Sequence, residues 1–593
     1  MRGRRNLGID RKLPNILGVH AGHDAAAALV IDGRVVACVA EERFRRVKHY
    51  AGLPLEAIDY CLGAGGLSAD DLDEVALTSA TSDGGLLRHL MRLGPGPRPA
   101  ATPLRQRPRA ALRSVLESLR ATPPVTEGPP LYVPRWIGSR TIPVRAVEHH
   151  VAHAASAYYG SGGAASLVFT ADGVGDDCSL AVWRVTPPAQ FECLYRVGTD
   201  GSLGWFYAVV TEALGWWTGD GEGKTMGLAP YGSTAGIEGI LDDYCPSFRD
   251  GRLSRGHRFT WPLFWPDAGT HHWHFPEAEQ VAKLVARHGR EAIAAEAQRV
   301  LEREMIALVA HWLDEQQARA ACFAGGVMLN VKMNQRIWES GVLDTQYIFP
   351  EAGDAGLAAG AALLGSAARG GPIATEPIAD VYWGPAFDDE QVRAVLDERR
   401  LSYTRVADPA VAAAELLAQG RIVGWFQGRM EAGPRALGHR SILMDPGTAS
   451  NKDVINARVK FREGFRPFCP SMTPRAAAEL LAPGARDERF MITSFDVTPA
   501  ARTRIPAVVH VDGTARPQLI RREDNPSYYR VLEEYRAITG IPSLINTSFN
   551  IHEEPIVNTP SEAIKAFRSS ELDALILGDR LVIAHEMAVE RAV

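Results

Sequence analysis

Two stretches of similar pattern decide the fold: ILGVHAGHDAAAALVIDGRVVACVA at residues 16–40 and SLVFTADGVGDDCSLAVWRV at residues 166–185. Each predicts a β-strand, a polar turn and a second strand, and in the first stretch an Asp32-Gly33 hairpin turn leads to a third strand. Two such hairpins, each followed by helical stretches, indicate a duplicated α/β domain whose turns face a common cleft.

The sequence after these hairpins predicts where the chain divides. Apolar periodicity over residues 291–316 predicts a long helix, and CFAGGVMLN and PEAGDAGLAAGAALLG continue the first domain. ARGGPIATEP has the composition of a linker. We therefore predict a first domain at 1–367, a linker at 368–377 and a second α/β domain at 378–593. Residues 84–134, rich in proline and arginine, are predicted to be an insertion, either a solvated lid or a basic surface for an anionic partner.

The composition excludes several classes of protein. Of the 593 residues, 46% are hydrophobic and 23% are charged, as in globular rather than disordered proteins. The net charge of -6 lacks the basic footprint of a nucleic-acid-binding protein. The cysteines have no paired spacing, which argues against a disulfide framework or a zinc ribbon. No signal h-region or membrane-length apolar run is present, so we expect a cytoplasmic protein with no membrane or nucleic-acid partner.

The segment EHHVAHAASAYYG at residues 148–160 has the spacing of metal ligands on a helix. His149 and His153 stand four residues apart, and His150 with His153 forms a competing pair that the spacing leaves open. Asp172 and Asp354 occur in Gly-rich turns that allow a backbone to approach an ion, although such aspartates are also ordinary turn residues. Two imidazoles and two carboxylates suit Fe(II), Mn(II) or Zn(II).

Lysine is rare, because 56 of the basic residues are arginine and eight are lysine. Half of the lysines fall in motif-like surroundings: Lys48 in RRVKHY, Lys224 in GDGEGKTMGLAPYG, Lys332 after AGGVMLN, and Lys460 in INARVKFREGFRPF. GDGEGKT is not a P-loop, because the position six residues before the lysine is a threonine. The glycines of AGGVMLN, between a predicted strand and helix, could present backbone N–H groups to a phosphate.

The second domain carries a candidate anion-binding set. Arginine binds a phosphate ester in a bidentate manner, and Gly and Pro in the same motifs restrain the backbone. Surface salt bridges are the alternative explanation in so arginine-rich a chain. The set comprises Arg429, Arg435, Arg440, Lys460, Arg462, Arg466 and Arg516, with the amide and hydroxyl donors of NTSFN at 546–550.

Taken in order, these motifs closely resemble those of the O-carbamoyltransferase family, which includes the tobramycin, cephamycin and nodulation-factor enzymes. The resemblance spans GHDAAAALVIDGRVVACVAEERFRRVKHY, EHHVAHAASAYYG, TADGVGDD, GEGKTMGLAPYG, FAGGVMLNVKMN, GDAGLAAGAA, GRMEAGPRALGHRSIL, INARVKFREGFRPF, DGTARPQ and INTSFNIHEEPIVNTP. It implies an α/β protein in two parts. The N-terminal part is a duplicated actin-like ATPase (ASKHA) domain like that of the threonylcarbamoyl-transferring tRNA-modification proteins. The C-terminal part is a YrdC-like α/β domain that makes carbamoyl adenylate.

The resemblance also implies roles for individual residues. Those of the metal site are His149, His153, Asp172 and Asp354. Those near the transferred carbamoyl group are His23 and Lys48. Those that bind carbamoyl phosphate are Arg435, Lys460, Arg466, Arg516, Ser548 and Asn546. Those near the nucleotide are Lys224, Gly325, Gly326 and Asn330. Two departures from the family pattern are His439 in RALGHRS and His552-Glu553 after SFNI.

In that family carbamoyl phosphate and ATP give carbamoyl adenylate, whose carbamoyl group passes to an alcohol. The resemblance therefore implies an antibiotic-tailoring carbamoyltransferase with a hydroxylated natural product as acceptor, such as a macrolide, an aminoglycoside or an ansamycin. Iron as Fe(II), or another divalent metal, is expected at the metal site, with Mg2+ accompanying ATP. The resemblance is also compatible with a homodimer. The alternatives are an actin-like ATPase or kinase, a protein related to tRNA threonylcarbamoyl transfer, and a non-catalytic metal-binding module.

Overall fold

The structure is a computed structural model that describes residues 13–78, 131–132, 142–267, 270–551 and 553–584. Except for residues 131–132, the predicted insertion at 84–134 lies outside the described residues, as does His552.

The first sheet follows the pattern predicted for residues 16–40. Its order is β3-β2-β1-β4-β6-β5; β1 to β3 are antiparallel neighbours, whereas β4 and β6 run parallel to β1. Asp32 and Gly33 both adopt positive φ in the hairpin between β2 and β3, as a tight turn of this kind requires. The strands are β1 (Asn15–His20), β2 (Ala26–Ile31), β3 (Arg34–Ala40), β4 (Glu74–Thr78), β5 (Leu131–Tyr132) and β6 (Pro143–Val147).

The second sheet repeats this plan. Its order is β9-β8-β7-β14-β15, again with three antiparallel strands followed by two parallel ones. The shared strand order confirms the predicted duplication and is that of the actin-like ATPase fold. The strands are β7 (Leu167–Gly175), β8 (Cys178–Thr186), β9 (Gln190–Gly198), β14 (Ala320–Ala324) and β15 (Thr345–Ile348). Two separate hairpins are β10 (Ser247–Arg249) with β11 (Arg252–Ser254), and β12 (Leu263–Asp267) with β13 (Thr270–His274).

Two helices, α3 and α9, pack against each other between the sheets, α9 on β1 and β2 and α3 on β7 and β14. Their small residues permit this packing: a Cβ added at Gly360 of α9 would lie 2.0 Å from the carbonyl oxygen of Ala152 in α3. The long helix predicted at 291–316 is observed as α7. The helices of this half are α1 (Glu42–Arg45), α2 (Leu55–Ala64), α3 (His149–Gly160), α4 (Leu203–Ala213), α5 (Glu222–Leu228), α6 (Ala278–His288), α7 (Arg290–Glu315), α8 (Val331–Glu339) and α9 (Leu357–Ala368).

Beyond α9, residues 369–388 contain neither helix nor strand, and a mixed eight-stranded sheet of order β16-β25-β24-β17-β18-β23-β19-β22 follows. Its strands are β16 (Thr404–Arg405), β17 (Val423–Phe426), β18 (Arg440–Met444), β19 (Cys469–Met472), β22 (Gln518–Leu519), β23 (Leu544–Ser548), β24 (Ala574–Leu577) and β25 (Arg580–Ile583), and β20 (Phe495–Asp496) pairs with β21 (Thr514–Ala515). The helices are α10 (Asp389–Glu398), α11 (Pro409–Ala418), α12 (Asn451–Ile455), α13 (Pro474–Leu480), α14 (Pro499–Arg504), α15 (Pro526–Thr539) and α16 (Pro560–Ser569). The domain boundaries at 367 and 378 stay a prediction.

Candidate functional site

Helix α3 presents two imidazoles to one carboxylate. The helix begins at His149, where the side chain of Glu148 accepts a hydrogen bond from Val151 N at 2.8 Å. One turn separates His149 and His153, and their Nε2 atoms lie 3.2 and 3.0 Å from Oδ2 of Asp172. Asp172 lies where the pairing of β7 with β8 becomes irregular, so its side chain leaves the sheet toward α3.

Asp354, in the turn before α9, completes this group. Its Oδ1 lies 3.5 Å from Nε2 of both histidines, and the four ligand atoms all lie within 4.8 Å of one another. Burial and the neighbouring Asp172 raise the pKa of Asp354 well above its usual range. For Asp172, burial is outweighed by hydrogen bonds to the two histidines, which hold its pKa well below its usual range. A divalent cation bound to both carboxylates would offset their repulsion.

His150, the other candidate ligand on α3, takes part in different hydrogen bonds. Its Nδ1 lies 2.9 Å from Thr170 Oγ1, and its Nε2 donates to the carbonyl of Cys178 at 3.0 Å. Burial, together with the neighbouring histidines, holds its pKa well below its usual range. The structure thus brings His149 and His153 to the aspartates and holds His150 in the core as a neutral imidazole.

A second histidine group, formed by His23, Asp24 and His49, lines the same cavity as Asp172 and Asp354. Asp24 stands between two imidazoles, with Oδ2 3.0 Å from Nδ1 of His23 and Oδ1 2.8 Å from Nδ1 of His49. Burial disfavours both imidazolium ions, but Asp24 outweighs it and raises the pKa of each histidine. Lys48 donates to Oδ1 of Asp220 at 2.8 Å. The same oxygen of Asp220 lies 3.8 Å from Nε2 of His49, so Lys48 is connected to this histidine group through Asp220.

His20, at the end of β1, links the two groups. Its Nε2 donates to the carbonyl of His23 at 2.8 Å and lies 4.0 Å from Oδ2 of Asp354. Burial lowers its pKa to about 3, so this imidazole is neutral.

Three of the four residues predicted to lie near the nucleotide line the cavity. Lys224 and Gly326 line the cavity, and Nζ of Lys224 lies 3.7 Å from Oε1 of Glu463. Asn330 also lines it, but its side chain caps α8 at Met333 N and is paired with Gln298. Gly325 is not among the lining residues.

Five cationic side chains of the C-terminal half line the cavity: Arg435, Lys460, Arg462, Arg466 and Arg516. Burial and mutual repulsion lower the pKa of both Arg435 and Arg462 to about 9, and that of Lys460 well below its usual range. Nζ of Lys460 donates to Oδ1 of Asn550 at 2.6 Å and to Oγ of Ser548 at 3.3 Å. Lowered pKa values of adjacent cations indicate a pocket that an anion would stabilise.

The remaining predicted phosphate residues have structural partners. Nε and Nη2 of Arg516 donate to Sγ of Cys469 at 2.9 and 2.8 Å. The amide nitrogen of Asn546 donates to Oε1 of Gln518 at 2.9 Å and to the carbonyl of Ala436 at 3.2 Å, although the residue lines the cavity.

Two arginines of the anion-binding set proposed from sequence do not reach the cavity. Arg429 donates to the carbonyls of Val36 and Trp383 at 2.9 and 2.6 Å, and thereby ties the two halves together. Arg440 is fully buried, donates to the carbonyls of Gln427 and Pro385, and stacks on Phe426. These side chains satisfy backbone oxygens that would otherwise be buried without a donor.

Of the two departures from the family pattern, Glu553 of the second is described and lines the cavity. The first departure is His439. Its ring stacks on Tyr382 at 3.8 Å, Nδ1 donates to the carbonyl of Arg429, and burial lowers its pKa. His439 is therefore a structural residue.

His149, His153, Asp172 and Asp354 form a candidate metal-ligand group, and one cavity of about 620 Å3 reaches from its two aspartates to the five cations. Both halves of the chain form its wall, and an ion pair of 2.8 Å between Lys332 and Asp512 joins them there. Asp24, His49 and Asp220 were not predicted from the sequence. The available signal was that the first two directly follow His23 and Lys48 in the chain.

Two family profiles match the chain. The profile described as "Carbamoyltransferase N-terminus" matches residues 15–91 and 130–363, and the one described as "Carbamoyltransferase C-terminus" matches residues 414–584. No helix in the described part of the chain has the length and apolar character needed to cross a membrane.

Similar proteins cover nearly the whole chain. "Nodulation protein NolNO" of Sinorhizobium fredii is 37% identical over an alignment of 571 positions that covers 94% of this chain and 79% of that protein. "Uncharacterized protein sll1178" of Synechocystis is 33% identical over an alignment of 629 positions that covers 98% of each chain. Among solved structures, the dehydratase component A of Acidaminococcus fermentans covers 60% of this chain and 99% of its own, with 14% identity and a TM-score of 0.32.

Proposed function

This chain belongs to the carbamoyltransferase family, and we propose that it makes carbamoyl adenylate from carbamoyl phosphate and ATP and transfers the carbamoyl group to a hydroxyl group of a small natural product. The family match supports the enzyme class, and the ATP-dependent route and the acceptor are the proposal. The observation that carries it is the single cavity that joins the five cations to the two histidine groups.

The cationic pocket suits the first half of the reaction. Carbamoyl phosphate is a dianion, and Arg435, Lys460 and Arg466 would bind its phosphate, as closely spaced cations bind phosphate esters in other proteins. The balanced step consumes carbamoyl phosphate, ATP and water and yields carbamoyl adenylate, phosphate and pyrophosphate. Lys224, on the facing helix α5, would contact the nucleotide.

His149, His153, Asp172 and Asp354 would hold a divalent metal ion. Two imidazoles and two carboxylates without a thiolate fit Fe(II), Mn(II) or Zn(II), and such an ion would offset the repulsion between Asp172 and Asp354. Fe(II) is the ion we propose, and when bound it would supply Lewis-acid chemistry at the carbamoyl carbonyl. Mg2+ would accompany ATP.

His23 would act as the general base for transfer. Its Nδ1 is hydrogen-bonded to Asp24, which fixes the ring and favours proton uptake at Nε2. The acceptor hydroxyl would lose its proton to His23 as its oxygen attacks the carbamoyl carbon, and AMP would leave. Because carbamoyl adenylate hydrolyses readily, a cavity walled by both halves protects it between the two steps.

We further propose a hydroxylated antibiotic scaffold as the acceptor and the cytoplasm as the site of action. The arginine-rich and alanine-rich composition, typical of a GC-rich genome, supports this setting.

Labelled carbamoyl phosphate, ATP and a panel of hydroxylated natural products test the proposal, with carbamoyl adducts read by mass spectrometry and pyrophosphate release measured without acceptor. Arg435→Ala should reduce pyrophosphate release about 100-fold, because the pocket loses a phosphate ligand. Arg319→Ala, at an exposed ion pair, is the matched control. His149→Ala should block transfer and retain pyrophosphate release. Unchanged pyrophosphate release in Arg435→Ala would refute the pocket assignment.

A further inference from the structure

The peptide of Gly433, in the C-terminal half, is held on both sides by side chains of the N-terminal half. Its N–H donates to Oε1 of Glu351 at 3.1 Å, and its carbonyl accepts from Nη2 of Arg43 at 2.7 Å. Glu351 and Arg43 are 4% exposed, so these are buried hydrogen bonds between the halves. Such bonds resist exchange with water and fix a backbone closely.

This peptide lies just before Arg435. Gly433 adopts a φ of 90°, and Pro434 follows with the fixed φ of proline, so the backbone from Gly433 to Arg435 has little freedom. Within the described residues, the guanidinium of Arg435 makes no hydrogen bond or ion pair, although it lines the cavity. Its location therefore depends on the backbone that Glu351 and Arg43 hold.

The other end of this connection is the metal-ligand segment. Glu351 precedes Asp354 by three residues, and its Oε2 accepts a hydrogen bond from the thiol of Cys38 at 3.6 Å. Burial raises the pKa of Glu351 to about 7. Both protonation forms keep an oxygen that accepts from Gly433, so the contact requires an acceptor of this length rather than a charge.

We propose that Glu351 is a positioning residue: by binding the N–H of Gly433, it holds Arg435 in the position needed to bind carbamoyl phosphate. The N-terminal segment that carries Asp354 thereby completes the phosphate pocket of the C-terminal half. The inference rests on the proposed function of Arg435. It explains why a buried carboxyl occurs where the two halves meet: an oxygen acceptor at the end of a long side chain is needed there.

Steady-state pyrophosphate release and calorimetry with inorganic phosphate test this in the full-length protein. Glu351→Ala should raise both the KM for carbamoyl phosphate and the Kd for phosphate about tenfold, with the KM for ATP unchanged, because a small displacement of a binding group is costly. Glu351→Gln keeps the oxygen acceptor and should stay close to wild type. A merely structural role would not separate the two KM values.

Trp338→Phe is the matched control, because Nε1 of Trp338 donates to the carbonyl of Gly484 at 2.8 Å in another contact between the halves, away from the cavity. It should leave both constants unchanged. If Glu351→Ala does not fold, Glu351→Asp, which withdraws the carboxylate from Gly433, provides the same comparison. A folded variant without the acceptor that retains wild-type KM and Kd overturns the proposal. If the wild-type protein releases no pyrophosphate but binds phosphate through Arg435, the proposed function is wrong. The Kd for phosphate then still tests the positioning role of Glu351.

Discussion

Gly326 faces the carboxylate of Asp172 so closely that a Cβ added at Gly326 would lie 2.9 Å from Oδ1 of that aspartate. Gly326 begins the turn after β14, and Asp172 leaves neighbouring strand β7. The glycine therefore leaves room for a carboxylate of the candidate metal-ligand group, and this close approach is enough to explain a glycine at position 326 without a nucleotide contact.

Gly326→Ala should displace Asp172 and lower the affinity for Fe(II) or Mn(II) about tenfold, in the range seen when the surroundings of a metal ligand are changed. Titration calorimetry measures the affinity. Gly223→Ala is the control, because a Cβ at that position meets no heavy atom within 4 Å. Equal metal affinity in the two variants would place the ion elsewhere.

Asp24→Asn should change the pH profile of carbamoyl transfer. Asp24 raises the pKa of His23, and a general base must be deprotonated, so transfer in wild type should rise as the pH passes upward through that raised pKa. Without the carboxylate, the pKa of His23 falls, and the acidic limb should shift to lower pH. Asparagine tolerates the φ of 55° found at Asp24, so the backbone should be retained.

The maximal rate of Asp24→Asn should also fall, by about tenfold, because the imidazole is less basic and less well oriented. The dependence of kcat/KM for the acceptor on pH is the measurement. Asp32→Asn, in the hairpin turn between β2 and β3, should leave the profile unchanged. An acidic limb that does not move in Asp24→Asn would mean that another group is the base.

Lys332→Met should lower the thermal stability, because it removes the lysine partner of the partly buried carboxylate of Asp512. The lysine on α8 and the aspartate of the C-terminal half form an ion pair of 2.8 Å. Burial opposes ionisation of Asp512, but His510 and Lys332 outweigh it and hold its pKa well below its usual range. The carboxylate therefore stabilises the fold above its ordinary pKa of 3.8, and this contribution is lost as the pH falls through the lowered value.

We expect a loss of about 1–2 kcal/mol for Lys332→Met near neutral pH, discounted because Asp512 is partly exposed. Differential scanning calorimetry measures the change in Tm. The double variant Lys332→Met/Asp512→Leu should recover part of it, because no unpaired charge remains. Arg319→Met should leave Tm unchanged, and a Tm for Lys332→Met equal to that of wild type would contradict the prediction.

Much of the fold could be predicted because its signals are local. The apolar runs of β1 to β3, the Asp32-Gly33 turn and the periodicity of α7 depend on neighbouring residues, and two copies of one pattern indicated the duplicated domain. The spacing of His149 and His153 likewise follows from helix geometry. For residues 84–134, composition alone supported two alternatives, a solvated lid or a basic surface, and no local pattern chose between them.

The sequence by itself determined the element types, the duplication and the residue types able to bind a metal ion or a phosphate, because helix periodicity, turn chemistry and side-chain charge are properties of short segments. Only the tertiary structure decided which arginines reach the cavity, that Asp24 joins His23 to His49, and that Glu351 holds Gly433. Arg429 contacts Val36 from 393 residues away in the chain. Such contacts depend on how buried polar groups of distant segments satisfy one another, and no local pattern records that.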